Sequence, residues 1–251
     1  MSNTQTDLVI EQVFGERGRV GLIAPSTCER AAKDFYQVVP DDIGLLIASL
    51  SVAKIASSDV DQALVGMDNA AKQLAETGAD IIFSAGIPLV LQGGIEADRD
   101  LQARIESVSG LPSMTDLCAA IDAIAAVNAS RIVLITPFDQ VTTDRIAEVL
   151  SDTGIKVLAS RGAGMMRQRE YAMLKNGAFA MMAKDLVASS TGVEAVYIPC
   201  GRIGDIRLTE QIEEDCGCPV ITANGLFIWW ALKALAADCS IDDYGQLLKL
   251  L

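Results

Sequence analysis

Histidine is absent from all 251 residues of the chain, and its absence removes whole classes of mechanism. Ser-His-Asp hydrolysis, Cys-His proteolysis and the His-ligated zinc hydrolases all need an imidazole. Acid–base work is left to Cys, Asp, Glu, Lys, Tyr or water. Positive charge is scarce as well: 20 Lys and Arg stand against 33 Asp and Glu, for a formal net charge of -13. A surface of that sign repels nucleic-acid phosphates and anionic membranes, so neither is an expected partner. A small anionic substrate stays open, because N–H groups at helix starts create local positive sites within a negative protein. No apolar segment approaches the roughly 20 uninterrupted residues of a membrane span. The stretch from Met1 to Arg19 lacks the basic start and apolar run of a secretory signal, which makes the cytoplasm the expected location. Six irregularly spaced cysteines in that setting are expected to be reduced thiols. Cys216-Gly217-Cys218 has the wrong spacing and too few partners for zinc, and Arg161-Gly162-Ala163-Gly164 is an incomplete dinucleotide fingerprint. Neither a metal nor a cofactor is expected.

What is present is a pattern written twice. Gly78-Ala79-Asp80-Ile81-Ile82-Phe83-Ser84-Ala85-Gly86 aligns with Gly192-Val193-Glu194-Ala195-Val196-Tyr197-Ile198-Pro199-Cys200. Upstream, Arg19 to Ser26 aligns with Arg131 to Phe138; downstream, Gly110 to Thr115 aligns with Gly217 to Thr222. Three matches in the same order indicate duplicated halves. The period is too long for a solenoid of small repeats, and implies two similar lobes facing each other across a cleft. The copies differ where chemistry is expected, since one strand ends at Gly86 and its counterpart at Cys200.

Short apolar runs alternate with longer amphipathic ones. Strands are expected at about 19 to 25, 43 to 49, 80 to 85, 112 to 115, 131 to 136, 156 to 160, 194 to 199 and 219 to 222. Helices are expected over Asp59 to Glu76, Gly94 to Val108, Asp116 to Val127, Gln140 to Asp152, Phe179 to Ala188 and Asn224 to Ala237. The last is apolar nearly all round through Phe227, Ile228, Trp229 and Trp230, and belongs in an interior. The alternation predicts an α/β fold of two pseudo-symmetric, Rossmann-like lobes with parallel sheets. One lobe covers residues 19–112, joined by the C-terminal helix 224–237, and the other covers 113–222.

In such sheets ligands collect beyond the carboxyl ends of the strands. Four turns occupy that place: Pro25-Ser26-Thr27, with Cys28 just beyond; Gly86-Ile87-Pro88; Thr136-Pro137-Phe138; and Cys200-Gly201-Arg202. Together they form the candidate pocket. Simpler readings stand beside this one. Gly86 could be required by positive φ alone, Ser26 and Thr136 could be helix caps, and Arg202 could be a solvated rim residue. Cys118 and Cys239, in apolar helical context, read as structural.

Through these turns and the paired halves, from Arg19 to about Ala237, the chain resembles the aspartate/glutamate racemase superfamily. The likeness falls in its branch of arylmalonate decarboxylases and maleate cis-trans isomerases. Racemases and isomerases of that superfamily carry a cysteine in each half, on opposite faces of the substrate. Decarboxylases of the branch pair a glycine on one wall with a cysteine on the other, which is the arrangement of Gly86 and Cys200. The resemblance therefore implies decarboxylation of a small carboxylic acid, with Cys200 donating a proton to an enediolate. It implies no cofactor and is compatible with a homodimer. Two departures bear on the substrate: Ile87, Pro88 and Phe138 stand where those decarboxylases place hydroxyl donors, and Cys28 where maleate isomerases place an asparagine.

For that chemistry Ile87, Leu89 and Ile203 are expected to desolvate the leaving carboxylate. The Ile87 and Gly201 amides, with the hydroxyls of Ser26 or Thr136, are expected to receive the developing charge. A helix N-terminus just beyond Cys200 is expected to support its thiolate. Isomerisation or racemisation of a small dicarboxylate, with Cys28 or water replacing the absent thiol, remains an alternative, as does a binding protein that retains the cleft without turnover.

Overall fold

A computed structural model describes residues 14–50, 60–87, 91–165, 168–171, 177–203, 205–239 and 241–251. The first half runs β1 (Gly18–Ala24), α1 (Glu29–Val38), β2 (Ile43–Ser49), α2 (Val60–Glu76), β3 (Ile81–Ser84), α3 (Gly94–Ser109), β4 (Ser113–Thr115) and α4 (Asp116–Ala126). The second half follows with β5 (Arg131–Thr136), α5 (Gln140–Asp152), β6 (Lys156–Gly162), α6 (Gln168–Tyr171), α7 (Ala178–Ser189), β7 (Ala195–Ile198), α8 (Thr209–Cys216), β8 (Val220–Thr222) and α9 (Ala223–Ala234). Two four-stranded sheets result, ordered β2-β1-β3-β4 and β6-β5-β7-β8. Every strand pair is parallel. The two-lobed parallel α/β architecture is thus as the alternation implied.

The duplication reaches to single contacts. Leu22 lies opposite Phe83 in the first sheet, and the aligned Leu134 opposite Tyr197 in the second. The Arg19 amide donates to Asp80 at 2.7 Å, as the aligned Arg131 amide donates to Glu194 at 2.9 Å. α3 and α8 both end on a left-handed glycine, Gly110 at φ 72° and Gly217 at φ 69°. Each is followed two residues later by a proline that prevents the helix from continuing.

Both faces of each sheet are covered, which explains the near-continuous apolar strands. Ile132 and Leu134 of β5, with Ala195 and Tyr197 of β7, join Val20, Leu22, Ile81 and Phe83 in one core shared between the sheets. The alternate residues point outward. Ile82 packs beneath the outer helices of the first lobe, and Val133, Ile135, Val196 and Ile198 beneath those of the second.

α9, although it follows β8, packs on β3 and α1 of the other lobe. Its Phe227 ring lies 5.1 Å from Phe83 and 5.7 Å from Phe35, and its Trp230 ring 5.5 Å from Phe83. α4 likewise touches β8 while staying on α3 and β4 of its own lobe. The two helices pack on each other where the lobes meet.

One boundary needs correction. β4 pairs with β3, so the first sheet runs to Thr115 and a division at 112/113 severs its last strand. Three helices were also not anticipated, α1, α6 and α8. Each is short and mostly polar, with Ala31 and Phe35 the buried apolar residues of α1 and Ile212 that of α8. α1 is nonetheless amphipathic and its signal was missed, whereas α6 and α8, of one to two turns, are too short to carry a clear one. Among the described residues no helix is long and apolar enough to cross a membrane.

Candidate active site

β3 and β7 lead directly into Gly86 and Cys200, at equivalent places in the two lobes. Gly86 has φ 122°, so its conformation as well as its missing side chain favours glycine. Its amide donates to Asp116 Oδ2 at 3.1 Å, and the Ile87 amide bonds to the same carboxyl. The Ile87 N–H, expected as an oxyanion donor, thus lies close enough to Asp116 to lower its pKa. Asp116 opens α4, is 7 % exposed, and is pushed up to about 6 by burial, with Asp98 adding to the rise. Its Oδ1 is buried with no hydrogen bond among the described residues.

Cys200 is half-buried. Burial pushes its thiol up to about 12, against the pull of the Arg202 and Ile203 amides, while Cys28 and Asp116 push it further. The sulfur keeps its proton across the physiological range. The expected helix N-terminus is not at this position: Cys200 opens a turn in which its carbonyl accepts the Ile203 amide at 3.1 Å, and α8 begins at Thr209. Support for a thiolate comes from the turn amides instead.

A second thiol converges on the same turn. Cys28, the N-cap of α1, donates to the Gly201 carbonyl at 3.7 Å. Burial raises its pKa as well, while the Ala31 amide and then Arg202 oppose the rise. Asn224, which opens α9, donates from Nδ2 to the same carbonyl at 3.1 Å and to Asp34 Oδ2 at 2.7 Å. A side chain at Gly201 would force Asn224 to shift, since a Cβ would lie 2.7 Å from Asn224 Oδ1. The turn beside Cys200 is thus held from the first lobe by Cys28 and, through Asn224, by Asp34.

Arg202 is drawn inward, its side chain 16 % exposed. It donates to Ser26 Oγ at 3.3 Å and lies 3.6 Å from Glu29. A cation from the second lobe therefore rests on the Pro25-Ser26-Thr27 turn of the first. Pro25 and Ser26 are half-buried and Thr27 is exposed.

The Thr136 turn behaves differently from expectation. Thr136 is 0 % exposed, its hydroxyl shares a hydrogen bond with Thr143, and it accepts the Phe138 amide at 3.2 Å. It is committed to the fold, and the expectation that it receives substrate charge is corrected. Nor does it cap α5, whose cap is Asp139, accepting from the Thr142 amide at 2.7 Å. Pro137 is buried and Phe138 half-buried, the latter meeting the Tyr171 ring edge-on at 6.4 Å. Tyr171 is pushed up to about 12 by burial and then by Cys200. Ile87 belongs to the core between the sheets and Ile203 to the outer core of the second lobe. Pro88 and Leu89 lie outside the described residues.

The structure thus gathers Cys200, Gly201, Arg202, Ser26 and Cys28 into one contact network, with Gly86 held by Asp116. Sequence reasoning missed Asp116, Asn224, Asp34 and Tyr171. A signal existed for two of them, because the strand-end rule extended to β4 and β8 leads into Asp116 and Asn224. Asp34 and Tyr171 sit on polar helical stretches with no such marker. Among the described residues no three potential metal ligands cluster.

The family model for arylmalonate decarboxylase matches residues 20–248. A maleate isomerase from Geobacillus stearothermophilus is 21 % identical over 244 residues, spanning 92 % of this chain and 97 % of that protein. A crystal structure of arylmalonate decarboxylase superposes with a TM-score of 0.80 at 19 % identity, over 92 % of this chain and 98 % of that one. The maleate isomerase Iso from Pseudomonas putida S16 gives 0.81 at 22 %, with 92 % and 98 % covered.

Proposed function

The chain belongs to the arylmalonate decarboxylase family, and from that premise we propose that it decarboxylates a small malonate-type acid, with Cys200 as the proton donor. The observation that carries this reading is the pairing of a proton-retaining thiol at the end of β7 with a side-chain-free glycine at the end of β3. Loss of carbon dioxide from one carboxylate leaves an enediolate. The Cys200 S–H bond then breaks toward the α-carbon, and the thiolate, held by the Arg202 and Ile203 amides, regains its proton from water. Arg202 is the cation placed to receive the remaining carboxylate. Protonation from one wall gives a product of single handedness.

A second reading, isomerisation or racemisation of a small dicarboxylate, is favoured by one observation: Cys28 brings another thiol to the Gly201 carbonyl. Incubating the protein with substituted malonates, maleate and amino dicarboxylates in deuterium oxide, followed by proton NMR, separates the two. Carbon dioxide loss with one-sided deuteration that disappears in Cys200→Ala and persists in Cys28→Ala is the expected result. Fumarate from maleate, lost in Cys28→Ala, would transfer the protein to the isomerases.

A further inference from the structure

The first wall has lost its reactive side chain, yet a carboxyl group stands directly behind it. Asp116 Oδ2 takes the Gly86 amide at 3.1 Å. Its Oδ1 is the unusual atom, fully enclosed and without a hydrogen bond among the described residues. Leaving a carboxylate oxygen in that condition is costly, and protonation reduces the cost by removing the charge.

We propose that Asp116 sets the charge of the first wall: neutral, it holds the Gly86 and Ile87 amides and admits a carboxylate ligand; ionised, it keeps the amides but opposes the ligand. Among the described residues, the titratable groups that interact with it are all acids. Asp98 on α3 acts on it directly. Tyr197 on β7, Cys28 before α1 and Cys200 after β7 each feel its charge. Asp98 is itself engaged, accepting from the Thr115 hydroxyl and from the Cys118 amide at 3.0 Å. Within this cluster a proton on Asp116 is the means of removing a negative charge beside both thiols. The shift of its titration to about 6 puts that change inside the working range of pH. Asparagine at the same place retains the acceptor oxygen and is permanently neutral.

The inference rests on the decarboxylase-family reading only in taking the ligand to be a carboxylate, and its test needs no turnover. Binding of phenylacetate, which is ionised throughout, is measured by calorimetry from about pH 5.5 to about pH 8. The wild type should weaken on the order of tenfold as pH rises. Asp116→Asn should bind at the alkaline end as tightly as the wild type binds at the acid end. Asp98→Asn should retain the slope, and Asp116→Ala, which lacks the amide acceptor, should bind weakly at every pH. A slope that survives in Asp116→Asn, a slope abolished by Asp98→Asn instead, or no phenylacetate binding at all would each overturn the proposal. Carbon dioxide release, followed separately, decides the decarboxylase reading whichever result is obtained.

Discussion

Replacing Asn224 with alanine tests whether the turn beside Cys200 is held from the opposite lobe. The amide Nδ2 serves two acceptors, Asp34 Oδ2 at 2.7 Å and the Gly201 carbonyl at 3.1 Å. Asp34 is 1 % exposed, and its other oxygen faces Arg30 only at 4.0 Å. Burial already raises its pKa, and the Asn224 bond is the largest effect holding it down. Removing a hydrogen bond to a buried charged group costs about 1.5–3 kcal/mol, and the Gly201 carbonyl loses one of its two partners. Together these give a destabilisation of about 3 kcal/mol at pH 8. The sign of the pH effect follows from the raised pKa. Below the ordinary carboxylate range Asp34 is protonated in both states and the lost charged bond is not missed. As pH rises through the folded pKa, the variant carries a buried carboxylate with less support, so the deficit grows. Urea denaturation of both proteins at about pH 3.5, below the ordinary carboxylate value, and at about pH 8 measures it. Turnover should fall roughly ten- to a hundredfold through kcat, since a displaced Cys200 turn misplaces the proton donor. A deficit below about 1 kcal/mol that is equal at both pH values would refute the reasoning.

Other outcomes follow from the same geometry. Gly201→Ala should cost about 1–3 kcal/mol and lower turnover, because its Cβ meets Asn224 Oδ1 at 2.7 Å; unchanged urea midpoint and activity would show that the turn gives way freely. For Asp116, displaced upward from 3.8 to about 6, the stabilisation is present at acid pH and lost as pH rises through the folded value. Its full size is about 3 kcal/mol, and about half disappears between about pH 5 and about pH 8. That decline should be absent in Asp116→Asn, as chemical denaturation at the two pH values would report. Cys200, with its thiol near 12, should react with iodoacetamide at pH 8 on the order of a hundredfold slower than free cysteine; mass-spectrometric time courses showing rapid labelling of Cys200 would contradict its proton-retaining character.

The strands were legible in the sequence because both faces of each sheet are covered, which leaves short apolar runs with polar punctuation. The duplicated pattern put Gly86 and Cys200 in register, and the structure places them at matching strand ends. Harder to read were groups whose partners are remote: Asp34 lies 190 residues from Asn224, and Gly86 lies 30 from Asp116. Thr136 misled for a related reason. A strand-end hydroxyl reads as available, yet its bonding capacity belongs to Thr143. α6 and α8 escaped notice because so short a helix carries little periodic signal, while α1, which is amphipathic, was missed beside its strand-end turn.

The seating of α4 and α9 where the lobes meet bears on how such a chain arises. A half-length protein ending in a helix that reaches the other sheet leaves part of its own core uncovered. Two identical copies can cover it, by sharing that helix in a symmetric dimer. In that dimer a single gene writes both walls, and a thiol on one dictates a thiol on the other. Glycine facing cysteine is an asymmetry open only to a fused pair, in which each wall is free to mutate alone.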